Sequence, residues 1–121
     1  MNEESSILVT IRKMIGGDTA STEFDMDLII AINSAISTLY QLGIEKLRGG
    51  EGFSITGETE TWDDLLGEYM HVDLIKGYVY LKTRLLFDPP QNSFLVNSIQ
   101  DQIKEMEWRI TVAIETDNSA E

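Results

Sequence analysis

The sequence predicts an all-α fold: a small bundle of about four helices, with a long glycine-rich loop holding a short strand or hairpin between helices two and three. Three observations lead there. Apolar residues recur every three or four positions from about Val72 into Phe87 and again from Leu95 to Ala113. Between these stretches stands Asp88-Pro89-Pro90. Two consecutive prolines lack the N–H of a continuing helix and clash with the preceding turn, so the chain must break and restart there. Finally, Leu28 to Leu42 carries an apolar stripe broad enough for a central helix.

Taken in order, the first helix is the stripe Ile7, Leu8, Ile11, Met14, Ile15, capped by Ser5 or Ser6 and ended by Gly16-Gly17. Asp18 to Glu23 reads as a loop. The second helix begins near Phe24 to Met26, where Thr22 and Asp25 have capping-box spacing. It buries Leu28, Ile29, Ile32, Ala35, Ile36, Leu39 and Leu42, and Gly43 sits at its C-terminal cap. Gly49-Gly50-Glu51-Gly52 then interrupts helical character. Phe53 to Gly57 alternates apolar and polar residues as a short exposed strand would. Thr61 and Asp64 have the spacing of a second capping box around one helical turn. The third helix carries Leu74, Ile75, Tyr78, Val79, Leu81, Leu85 and Leu86. The fourth, capped by Asn92 or Ser93, carries Leu95, Ile99, Ile103, Met106, Ile110 and Ala113.

With 121 residues, 42% of them hydrophobic, the chain suits one domain with a modest core. We place that domain at 1–114 and expect the acidic tail 115–121 to be disordered. No run approaches the roughly 18–20 apolar residues of a bilayer span, and the acidic start is unlike a secretory leader. With no cysteine, disulfides and thiolate chemistry are excluded. A formal charge of −12 argues against a duplex DNA-binding surface, which neutralises phosphates with clustered Lys and Arg. Arg12-Lys13 and Lys46 to Arg48 are the nearest approach to such a cluster.

No reaction centre is evident. His71, the single histidine, has no nucleophile or metal partner at motif spacing and reads as a helix-start or surface residue. Glu58, Glu60, Asp63 and Asp64 gather carboxylates, but the calcium-loop pattern is missing. Asp25 and Asp27 suit a first helical turn. Gly49, Gly50 and Gly52 lack the Lys-Ser/Thr ending of a phosphate loop. No catalytic, cofactor-binding or metal-binding residue is therefore expected. The loop residues Phe53, Ile55, Trp62, Leu65 and Leu66 need covering, either within the chain or by another subunit. Trp108 lies off the apolar stripe of its helix, which leaves two readings: an interface anchor or burial against the loop.

The order of these features, above all Leu81-Lys82-Thr83-Arg84-Leu85-Leu86-Phe87-Asp88-Pro89-Pro90 followed by Glu107-Trp108-Arg109, resembles the head–tail connector proteins of long-tailed bacteriophages and their prophages. That family was once labelled as DNA-packaging proteins. The resemblance runs from about Ile7 to Ile114. It implies a non-enzymatic virion protein, present in the host cytoplasm during assembly and at the head–tail junction afterwards. It implies a ring of copies matched to the twelvefold portal, joining capsid to tail and lining the DNA channel, whether or not the isolated chain is monomeric. The partners it implies are the portal protein and a downstream connector or tail-completion protein. DNA passes through without sequence-specific binding, and no membrane is involved. For subunit contacts we single out Phe53, Ile55, Trp62, Leu65 and Trp108. Asp88, Pro89 and Pro90 form an architectural elbow, and Glu51, Glu58, Glu60, Asp63 and Asp64 are candidate channel-lining acids. The alternative reading is a DNA-packaging factor of small-terminase type that recognises DNA.

Overall fold

The computed structural model describes residues 5–16, 22–48, 50–67, 69 and 71–119, excepting the side chains of 47, 48 and 117–119. The Gly17, Gly49 and 18–21 loop expectations lie outside those residues. Five α-helices follow in order: α1 (Ile7–Ile15), α2 (Asp25–Leu42), α3 (Trp62–Leu66), α4 (Val72–Phe87) and α5 (Ser93–Ser119). A 3-10 helix, Ile44–Arg48, follows α2.

Local signals place most of the boundaries. The Ser6 hydroxyl accepts from the Val9 N–H and starts α1. Asn92 Oδ1 accepts from the Phe94 N–H at 2.8 Å and starts α5. Thr61 and Asp64 form the expected capping box, each side chain accepting from the other's backbone N–H. Gly43 ends α2 at φ +121°, its N–H turned back to the Leu39 and Tyr40 carbonyls. A side chain there would strain the backbone and bring its Cβ within 3.2 Å of Ile114 on α5. Helix α4 stops at Phe87, before the proline pair.

Three expectations are corrected. The Thr22–Asp25 capping box does not form: α2 is preceded by Phe24 with no side-chain cap. The Asp25 carboxylate instead accepts from Arg12 Nε and Nη2, at 3.1 and 2.7 Å. The short strand at Phe53–Gly57 is also absent; the described residues contain no strand, only an isolated bridge between Ser6 and Thr61. The reason is chemical. Asn33 of α2 donates from Nδ2 to the Ile55 carbonyl and accepts at Oδ1 from the Ile55 N–H, replacing a neighbouring strand with one side-chain amide. Glu60 takes the next N–H groups, of Thr56 and Gly57. Lastly, α5 is longer than expected, with helical backbone past Ile114 to Ser119.

Helices α2 and α4 form the main packed pair, and α5 lies along α4. Phe24, at the start of α2, meets Phe87, at the end of α4, edge to face at 5.9 Å between centroids, so the two helices run antiparallel. The α4–α5 hairpin closes where the Tyr78 hydroxyl donates to Glu107 at 2.7 Å. A Cβ at Gly77 would lie 3.2 Å from the Met106 methyl, which shows how closely the hairpin approaches there. The core is one cluster joining α1, α2, α4 and α5 with Ile44, Ile55 and α3.

Candidate assembly surface

The glycine-rich segment packs inward. Ile55, Trp62 and Leu65 are buried within the chain, and Phe53 is half-buried against the same cluster. The Trp62 Nε1–H donates to Thr10 Oγ1 at 3.2 Å, and Lys76 Nζ lies 5.7 Å from the Trp62 ring centroid. The apolar surface of these loop residues is thus largely covered within the chain.

Much of the loop's acidity is held the same way. Arg12, with 8% of its side chain exposed, bridges Asp25 and Glu58, its Nη2 lying 2.7 and 2.8 Å from their oxygens. Burial alone would lower the guanidinium's hold on its proton; the hydrogen bonds to Glu58 and Asp25 outweigh it and raise the pKa further. Burial would likewise raise the Glu60 pKa, yet hydrogen bonds from Thr56 and Gly57 hold it below the usual carboxylate range. Asp64 is engaged in the α3 cap. Asp63 and Glu51 are exposed at the surface, and the Glu51 carbonyl accepts from the Tyr40 hydroxyl. Among the described residues, no group of three or more His, Asp or Glu is placed to hold a metal ion. His71 immediately precedes α4, its ring edge to face with Tyr69 at 5.3 Å.

At the elbow, Asp88 and Pro89 are exposed and Pro90 is half-buried, while the Asp88 N–H donates to the Arg84 carbonyl. Trp108 is 67% exposed, so it does not pack against the loop. Val112, one turn later, is exposed beside it.

The sequence reading missed a second apolar surface. Phe24 and Ile30 of the α2 region and Leu86 at the end of α4 are all more than half exposed. With Asp27, Ala31, Ser34, Phe87 and Asp88 they line an open cleft of about 780 Å³. The signal was available: Ile30 lies off the α2 stripe just as Trp108 lies off that of α5. Leu86 carried no such sign, since its periodicity places it with the core.

These features describe a folded acidic chain with large apolar residues exposed at the α2–α4 cleft and on α5. No helix among the described residues is long and apolar enough to cross a membrane. No curated protein and no solved structure matches the sequence. The family model for phage connector proteins does match, over residues 7–117, spanning all five helices nearly to the end of α5. By that match, this chain belongs to the phage connector protein family, the structural head–tail connectors that its loop, elbow and final helix resemble.

Proposed function

We propose that the chain assembles into a ring at the portal vertex, joins capsid to tail, and surrounds the channel through which DNA passes. The observation that carries this reading is the family match over nearly the whole chain. The structure is in keeping with it, because the protein folds around its own loop and still leaves large apolar residues exposed, among them Ile30, Leu86, Phe94 and Trp108. Copies of one chain joined head to tail close into a ring when the rotation between them closes. Its partners are then further copies, the portal protein and the next connector or tail-completion protein.

A DNA-recognising role draws no support from Arg12. This residue, half of the Arg12-Lys13 pair, is engaged by Asp25 and Glu58 inside the fold and is not presented to a phosphate. Labelling the protein in purified particles, followed by electron microscopy, tests the reading. The label should fall at the junction of shell and tail. A label spread over the shell or along the tail, or absent from the particle, overturns it.

A further inference from the structure

We propose that the cleft between α2 and the end of α4 seats the Trp108–Val112 face of α5 from a second copy of this chain. The inference rests on the ring reading and names the two surfaces that meet. The cleft is apolar at Phe24, Ile30 and Leu86, with the Asp27 and Asp88 carboxylates in its lining. The face opposite offers Trp108 and Val112 one turn apart, with exposed Arg109 between them in sequence. Asp27, Asp88 and Arg109 form no ion pair among the described residues.

Charge selects the occupant. Two copies that each carry −12 repel at a distance, so local opposite charge favours one way of meeting over others. An arginine meeting two aspartates supplies it, and Trp and Arg are the residue types that most often anchor interfaces. A chain cannot bring its own Trp108–Val112 face into its own cleft. Phe24 and Phe87 place the cleft at the elbow end of the bundle, whereas the approach of Gly43 to Ile114 places the last turns of α5 at the other end of α2. Each copy therefore carries one cleft and one complementary face, a heterologous contact that repeats from subunit to subunit.

The absence of cysteine makes the contact directly testable. Full-length Ile30→Cys and Val112→Cys chains, mixed and mildly oxidised, should give a cross-linked dimer, with neither variant cross-linking well alone. In sedimentation over a concentration series, Arg109→Glu should need about tenfold more protein to associate, and so should Asp27→Arg/Asp88→Arg. Combining all three substitutions should restore association. Wild-type association that none of these changes alters overturns the assignment while leaving the ring reading standing. Val112→Cys cross-linking alone shows a symmetric α5 contact and also overturns it. A chain monomeric throughout, with no cross-link in the mixture, overturns it in favour of a different protein in the cleft. The ring reading is decided separately, by the position of the label in the particle.

Discussion

Tyr78 shows how much one side chain contributes to this bundle. Its ring is fully buried between α4 and α5 and its hydroxyl donates to Glu107. Burial, then the hydrogen bond and charge of Glu107, push the phenol pKa well above its ordinary value near 10. The folded-state pKa is raised, so this stabilisation is complete below the unfolded pKa and is lost as pH climbs beyond about 10. Tyr78→Phe should cost about 1.5 kcal/mol at neutral pH and flatten the alkaline limb of a urea-midpoint-versus-pH curve. A mutant curve as steep as wild type would assign that limb to other groups. Thr83 is the opposite case: fully buried, its hydroxyl has no hydrogen-bond partner among the described residues. Thr83→Val keeps the shape and removes the unpaired polar atom, so thermal unfolding should show a gain of about 1 kcal/mol.

Among the elements, two glycines predict opposite outcomes. Gly43 needs its positive φ to end α2 and would drive a Cβ against Ile114, so Gly43→Ala should destabilise by about 2 kcal/mol. Gly77 lies within α4, where glycine costs about 1 kcal/mol relative to alanine. Its new Cβ would meet only the Met106 methyl, the far end of a flexible thioether, so Gly77→Ala should stabilise. Chemical denaturation of both variants checks the pair. For the elbow the expectation is that it fixes how α5 leaves α4. If the chain forms the proposed rings, Pro89→Ala/Pro90→Ala should loosen that angle and reduce their number in electron micrographs; rings as abundant as wild type would make the corner incidental.

For the whole molecule, net charge and assembly are one question. If the loop acids face the bore, negative walls keep DNA from adhering to them. Glu58, Glu60 and Asp64 also hold the fold through their hydrogen bonds, so reversing them would confound the test. Asp63 is exposed and its carboxylate makes no hydrogen bond among the described residues, which makes it the position to change. Asp63→Lys particles that assemble normally should eject DNA more slowly; ejection at the wild-type rate would place this acid away from the channel.

What could be read along the chain was the set of features closed within a turn or two. Ser6, Asn92, Gly43 and the Thr61–Asp64 box all satisfy backbone groups a few residues away, and Pro89 lacks the N–H that would continue α4, so spacing was enough. Contacts across the chain went to partners that no spacing names. Asn33 claimed the Ile55 backbone from 22 positions away and left no strand, and Arg12 drew Asp25 out of its expected cap. The same packing covered Trp62 and left Ile30, Leu86 and Trp108 bare. Periodicity shows that a helix has an apolar side; which of its large residues remain uncovered depends on where the neighbouring helices end, and that is settled only when the chain has folded.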